Sequence, residues 1–178
     1  MAILEIIHVP DPRLSEKCRP MRPEEINDEL RLFLRDMAET MYAAPGVGLA
    51  APQVGDTRRF LVADPGSQDE GSSGRRGVDL ITMINPEIVQ ASKDLYKAEE
   101  GCLSVPELWE NFERPRWVEV RWLDEHGQPR QRRFEDFAGV VIMHEMDHLE
   151  GVTILDRVSR FKRSRYLRAR KKARQRGG

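Results

Sequence analysis

Apolar residues in the first quarter of the chain recur at the three- and four-residue spacing of an amphipathic helix. Pro23 suits a first helical turn, and Glu24 and Glu25 follow it where the helix dipole favours negative charge. The apolar stripe that follows contains Ile26, Leu30, Phe33, Leu34, Met37 and Met41. The pattern predicts a helix from about Pro23 to Tyr42 with one buried face.

A second apolar stripe, nearer the end of the chain, leads into two histidines. Successive residues of an α-helix advance by about 100°, so residues four apart share one face. The residues of this stripe are Phe137, Val140, Val141, His144 and His148. We predict a helix over about 137–149 that ends before Gly151, which suits the left-handed position after a helix. Both histidines should point inward, where each needs a polar partner.

Runs of β-branched and aromatic residues predict strands between these helices. Residues 58–64 and 80–86 read as short strands, and residues 87–107 read as extended chain that ends in a turn. Residues 116–136 alternate around a His-Gly-Gln-Pro turn, as a β-hairpin does. The glycines and prolines of residues 43–55 predict a structured loop.

These elements predict an α+β fold, with short strands and sheets packed around the helix that carries the histidines, and a basic helix at the C-terminus. A chain of 178 residues suits a single core. Residues 65–79 are rich in Gly, Ser and charge, which predicts a mobile surface excursion. Cys18 and Cys102 are the only cysteines, so we expect reduced thiols rather than a disulfide framework. No signal peptide or membrane-spanning run is evident, which predicts a cytoplasmic protein without a membrane partner.

Charge is divided unevenly along the chain. Residues 157–178 contain 11 Lys and Arg and no acidic residue, so residues 1–156 keep 18 of the 29 basic groups against 30 acidic ones. We therefore divide the chain into a domain over 1–156 and a basic tail over 157–178, helical in part, with a thin stripe of Val158, Phe161 and Leu167. A solvated tail and a site for an anionic partner such as nucleic acid fit this pattern equally well.

The sequence from His144 to His148 is an H-E-x-x-H motif, which on a helix directs two imidazoles at one cation and Glu145 at the water bound to it. Cys102, in the turn EEGCLSVP, offers a third ligand. Two imidazoles and a thiolate leave a fourth tetrahedral position open, which is typical of a catalytic metal site. Taken alone, Cys102 also fits a small buried hydrophobe. Asp147 fits either a hydrogen-bonding support for a neighbouring group or an exposed helix acid.

Three separate blocks of the chain resemble the signature motifs of the peptide deformylase family. They are GVGLAAPQ at 46–53, EGCLSVPE at 100–107 and HEMDHLEG at 144–151. The opening ILEIIHVPDPRL is similar to the family's first strand and following turn, so the likeness covers essentially residues 1–156. Met143 stands where many members have glutamine, which leaves the three ligands untouched.

The resemblance implies a metal-dependent hydrolase that removes the formyl group from the N-terminal formyl-methionine of new polypeptides and releases formate. It implies that Cys102, His144 and His148 hold the metal, that Glu145 transfers protons, and that the Gln53 side chain and the Leu103 N–H meet the developing oxyanion. The substrate contacts that it implies are Val47, Gly48, Glu100, Gly101, Arg114, Val140 and Val141. It points to Fe²⁺, with Zn²⁺ or Ni²⁺ in purified protein. The basic tail is less regular in the family, and its charge, together with the need to meet substrate as new chains emerge, suggests the hypothesis that it docks onto ribosomal RNA.

Two other functions compete with this one. A general zinc endopeptidase would use Glu145 and both histidines but take its third ligand elsewhere, with Glu150 and Asp156 nearby. A nucleic-acid or ribosome-binding module would use the basic tail and hold a purely structural metal. The role of Cys102 separates the first alternative from a deformylase, and the role of Glu145 separates the second.

Overall fold

A computed structural model describes residues 1–68 and 76–177, and it confirms the predicted α+β fold. Within these residues the strands are β1 (Gly48–Ala50), β2 (Phe60–Ala63), β3 (Ile81–Ala91), β4 (Leu95–Cys102), β5 (Val105–Pro115), β6 (Trp117–Leu123) and β7 (Pro129–Glu135). The helices are α1 (Asp28–Ala43), α2 (Asp136–Leu149) and α3 (Arg160–Arg176). Part of the expected surface excursion, residues 69–75, lies outside the described residues, and Pro65–Gln68 form a 3-10 turn.

Five strands form an antiparallel sheet in the order β1-β2-β3-β6-β7, with α2 packed across it. Neighbouring residues of a strand point to opposite faces. Accordingly, Leu61 and Ala63 of β2 join the core beneath α2, whereas Phe60 and Val62 join a second core beneath α1. The predicted hairpin over residues 116–136 is confirmed as β6 and β7.

The remaining two strands, β4 and β5, form a separate hairpin. We expected residues 87–107 to be one extended segment, but β3 takes its first part and β4 its last part. The partner strand was missed because WENFER in β5 is acidic and poor in β-branched residues. The pairing shifts register between Glu100 and Cys102, and such an irregularity redirects the side chains next to it.

Helix α1 begins at Asp28, five residues later than predicted. The Asn27 side chain accepts a hydrogen bond from the Leu30 N–H (3.0 Å) and so caps the helix. Pro23–Glu25 instead form a 3-10 turn, in which Glu25 accepts hydrogen bonds from Arg19 (2.6 and 2.9 Å). The proline and glutamates that suit a first helical turn therefore form this 3-10 turn, and α1 begins after it.

The opening segment is not the strand that the family resemblance implied. It is an irregular segment that forms one backbone hydrogen bond to each of two loops. The Ile7 N–H donates to the Gln53 carbonyl (2.8 Å), and the Val9 N–H donates to the Ser104 carbonyl (2.9 Å). One short segment thus joins the loop after β1 to the turn between β4 and β5.

Helix α2 is buried over most of its length, as a central helix must be. It ends before Gly151, whose φ of 74° confirms the predicted left-handed residue. A Cβ at Gly151 would lie 2.6 Å from the Ser15 carbonyl oxygen, so glycine also permits this close packing. None of the helices in the described residues is long and apolar enough to cross a membrane.

Helix α3 lies on the surface and has no buried residue. Its inner contacts come from Tyr166 and Leu167, with Val158 just before the helix. We expected Phe161 to be part of the packed apolar stripe. That prediction is wrong, because 70% of the Phe161 surface is exposed. Tyr166 replaces it and donates a hydrogen bond from its hydroxyl to the Pro106 carbonyl of β5 (2.8 Å).

Candidate metal centre

The potential ligand atoms of Cys102, His144 and His148 all lie within 4.8 Å of one another. The two histidines share one face of α2, and Cys102 reaches them from the end of β4. Cys102 Sγ lies 3.3 Å from His148 Nε2. Both cysteines of the chain are free thiols, so the Cys102 sulfur is available as a ligand.

Electrostatics in this cluster favour a positive charge between the sulfur and the rings. Burial opposes protonation of His144, but hydrogen bonds to Cys102 and Glu100 outweigh it and hold the pKa of His144 well above its usual range. Burial, together with the charge of His144, holds the pKa of His148 well below its usual range, and neutral imidazole is the form that binds a metal. A divalent cation would supply the charge that His144 otherwise supplies by protonation, so these residues fit a metal ion.

Glu145 is buried beside the cluster, with 4% of its surface exposed. Its Oε2 has no hydrogen-bond partner among the described residues. Burial raises the pKa of Glu145 to about 7. A carboxyl group with a pKa near neutrality can both accept and return a proton.

The carboxylate of Glu145 occupies the space above Gly48. A Cβ added at Gly48 would lie 2.6 Å from Glu145 Cγ. The expected contact of Gly48 with substrate stays a prediction, and the structure adds a second reason for this glycine. It makes room for the Glu145 carboxylate.

Gln53 is almost completely buried and held at both ends of its side-chain amide. Its Oε1 accepts a hydrogen bond from the Ala50 N–H (2.8 Å), while Nε2 donates to Ser104 Oγ (3.1 Å) and lies 3.8 Å from Cys102 Sγ. The amide N–H group is therefore directed at the cluster of Cys102, His144 and His148. The sequence did not single out Ser104, although a hydroxyl residue two positions after Cys102 was a signal for it.

A cavity of about 500 Å³ opens beside the cluster. It includes most of the residues that the sequence indicated: Val47, Gly48, Gln53, Glu100, Gly101, Cys102, Leu103, Val140, Val141, His144 and Glu145. Phe137 and Trp109 also line it and were not predicted. Trp109 was detectable as a large apolar residue in an otherwise polar strand, and it is 66% exposed.

Arg114 does not line this cavity, although we expected it to contact substrate. It is 4% exposed, and its Nε and Nη2 donate to the two carboxylate oxygens of Glu100 (2.7 and 2.9 Å). Glu100 Oε1 also accepts from His144 Nδ1 (2.9 Å). Burial would raise the pKa of Glu100, but the hydrogen bonds from His144 and Arg114 outweigh it and lower that pKa to about 2. Arg114 therefore holds the Glu100 carboxylate that bonds to His144, and its contact with substrate stays a prediction.

Comparison with known proteins places the chain in a family. A sequence model of polypeptide deformylase matches residues 3–164. The peptide deformylase of Phenylobacterium zucineum is 45% identical, covering 97% of each chain, and that of Rhizorhabdus wittichii is 44% identical, covering 98% of this chain and 97% of the relative. The crystal structure of peptide deformylase from Ehrlichia chaffeensis in complex with actinonin has a TM-score of 0.87 and 36% identity, covering 97% of this chain and 98% of that one.

The contact between Gly48 and Glu145 generates a test of the proton-transfer group. Gly48→Ala should displace the carboxylate and lower the hydrolysis of a formyl-methionyl peptide by about 10²-fold, the lower end of the usual contribution of general acid–base catalysis. Metal content should stay unchanged, because no ligand moves. Steady-state kinetics and metal analysis measure both quantities.

The matched control is the same substitution in a Glu145→Ala background. With the carboxylate already absent, the added methyl group should cause no further loss. A multiplicative loss in the double variant would contradict the proposed contact. Loss of metal from Glu145→Ala itself would contradict the assignment of Glu145 as a proton-transfer group rather than a support of the metal site.

Proposed function

Because the chain belongs to the peptide deformylase family, metal-dependent enzymes that remove the N-formyl group from new polypeptides, we propose that Cys102, His144 and His148 hold its metal ion. The observation that carries this proposal is the convergence of the three ligand atoms within 4.8 Å at the edge of an apolar cavity. One thiolate and two imidazoles leave a position open for chemistry. A divalent ion held there would lower the pKa of a coordinated water toward about 7 and polarise the formyl carbonyl.

Glu145 supplies the proton transfers in this proposal. It takes a proton from the attacking water and delivers it to the amine that leaves as formate is released. Its burial and its pKa of about 7 suit both steps, because the group must be a base first and an acid afterwards. The glycine beneath it, Gly48, leaves its carboxylate the room to face the cavity.

Gln53 and the backbone of Leu103 stabilise the negative charge that develops on the formyl oxygen. The Gln53 amide is fixed by Ala50 and Ser104 before substrate arrives, so it need not reorganise during the reaction. Loss of one such donor typically costs about 10²–10³ in rate. Leu103 follows the ligand Cys102 directly and lines the same cavity.

The methionine side chain of the substrate fits the apolar part of the cavity. Val47, Val140 and Val141 line that part, and α2 carries two of them on the turn before His144. The same helix therefore positions the methionine side chain and the metal ligands. Trp109 lies on the cavity wall and is mostly exposed, where the following residues of the peptide leave the site.

For the metal we propose Fe²⁺ in the cell, as the family resemblance implies, with Zn²⁺ or Ni²⁺ able to take its place in purified protein. Thiolate and imidazole ligands suit all three ions, so availability decides between them. Cytoplasmic location also stays a prediction.

Formate release from a formyl-methionyl peptide tests the function and the metal together. Freshly prepared protein with quantified metal should release formate. The Fe²⁺ form should lose activity in air and keep it under anaerobic handling, because a ferrous centre beside a thiolate oxidises, whereas Zn²⁺-loaded protein should be indifferent to air. Equal half-lives in both atmospheres would argue against iron, and absence of formate would refute the function.

Replacement of the cysteine ligand separates this proposal from a general zinc endopeptidase. Cys102→Ala should lose the metal and the activity, because two imidazoles alone hold an ion weakly. Cys18→Ala is the matched control: it removes the other free thiol, which is buried in the core with its pKa raised to about 11 by burial, and it should keep its metal. If Cys102→Ala retains metal and activity, the third ligand lies elsewhere.

For the tail we propose docking onto ribosomal RNA, which would bring the enzyme to its substrate as new chains emerge. Helix α3 is fixed on β5 by Tyr166, so its outer face is presented in one orientation. Arg165, Arg168, Lys171 and Lys172 are exposed or half-buried at most and form no ion pair with the part of the chain that the structure describes. Phosphate contacts by such groups give salt-dependent binding.

Neutralisation of the outer face tests this docking. Arg168→Ser, Lys171→Ser and Lys172→Ser together should weaken co-sedimentation with ribosomes. The plot of log affinity against log salt concentration should also become shallower, by about one unit of slope for each lost phosphate contact. Hydrolysis of a short formyl-methionyl peptide should not change. The control replaces three exposed basic residues away from α3 by serine: Lys93 in the turn between β3 and β4, Lys97 of β4 and Arg121 of β6. Equal binding by both triple variants would refute docking through α3.

A further inference from the structure

A chain of ion pairs runs from the start of the basic tail to a metal ligand. Arg157 donates two hydrogen bonds to Asp147 Oδ2 (Nε 3.0 Å, Nη2 2.7 Å). The same oxygen accepts from Arg114 Nη1 (3.0 Å). Arg114 binds both oxygens of Glu100, and Glu100 binds His144 Nδ1 (2.9 Å). Asp147 therefore does hydrogen-bond a support of the metal site, one of the two roles that the sequence left open.

The members of this chain become more buried toward the metal site. The Arg157 and Asp147 side chains are partly exposed, whereas Arg114 and Glu100 are almost completely buried. The acceptors that a buried guanidinium binds set its orientation, and loss of one of them leaves a buried charge partly unpaired. Glu100 engages two donors of Arg114, and Asp147 engages a third. Movement of Asp147 would thus release one of the groups that orient the guanidinium on Glu100.

Arg157 itself is held in place by the turn that precedes it. Ile154–Asp156 form a 3-10 turn, capped by the Thr153 hydroxyl and by the Asp156 carboxylate (2.9 Å to the Thr153 N–H). The Arg157 N–H donates to the Ile154 carbonyl (3.1 Å) and closes this turn. The guanidinium of Arg157 consequently approaches Asp147 from a fixed backbone.

We propose that Arg157 is a positioning residue for the metal centre, acting through Asp147, Arg114 and Glu100 to hold the His144 ring in the orientation that binds the ion. Outer hydrogen-bond partners of a ligating histidine typically contribute about 10–100-fold to metal affinity. Arg157 is four contacts away from the ring, with three residues between them, so its contribution lies at or below the lower end of that range. The inference rests on the proposed ligand set.

The rate of metal loss tests this role. The full-length chain is loaded with Zn²⁺, and release to a chelator is followed for the wild type, Arg157→Gln and Asp147→Asn. Both variants should release the ion about three- to tenfold faster than the wild type. Arg157→Lys should recover part of the difference, because it keeps the charge but lacks the two-pronged donor.

Arg116→Gln is the matched control. It removes a partly exposed arginine that also pairs with an acid of α2, in that case Asp136 at the other end of the helix (2.9 Å). Metal release from this control should equal that of the wild type. The melting temperatures of all metal-free variants show whether the fold survives.

Wild-type release rates in Arg157→Gln and Asp147→Asn would overturn the proposal, as would equal acceleration in Arg116→Gln. Failure of the ligand set itself would look different. In that case the wild type would not hold one Zn²⁺ per chain, or Cys102→Ala would hold it as well as the wild type does.

Discussion

The burial of two imidazoles and two carboxylates beside a partly buried thiol is the constraint on which this structure depends. Cys102, His144, Glu100 and Glu145 are ionisable, and burial of unpaired charge costs several kcal/mol per group. Arg114 neutralises Glu100, and the hydrogen bonds of His144 to Cys102 and Glu100 favour a positive charge on its ring. A divalent metal ion between the sulfur and the rings, as proposed above, would supply the same positive charge.

The fold meets this demand by bringing together segments that are distant in sequence. Helix α2 supplies two ligands from one face, and β4 delivers Cys102 where its pairing with β5 shifts register. The extended opening segment then joins the Gln53 loop to the turn at Ser104 through two backbone hydrogen bonds. Each of the three sequence motifs, taken alone, covers only a loop with its neighbouring strand ends or the second half of α2. Their mutual geometry is fixed by contacts that lie outside the motifs.

Local patterns predicted most of the elements and the cluster of ligands. The histidine spacing, the hairpin around residues 126–129 and the left-handed Gly151 each follow from interactions within a few residues, which sequence records directly. The errors arose where a distant partner decided the outcome. Helix α1 starts late because Asn27 caps it, and β5 pairs with β4 despite its acidic sequence. The ion pair of Arg114 with Glu100 likewise joins residues 14 positions apart, which no local pattern records.

Asp147 illustrates why an isolated motif leaves such questions open. Within H-E-x-x-H it occupies a variable position, and helical spacing alone places it off the ligand face. Its partners come from β5 and from the first residue of the tail, 33 and 10 positions away. One carboxylate thereby links three elements, and the link ends on His144, a proposed metal ligand. The contacts of Arg157 thus tie the first residue of the predicted tail to α2 and β5, whereas helix α3 begins three residues later, at Arg160.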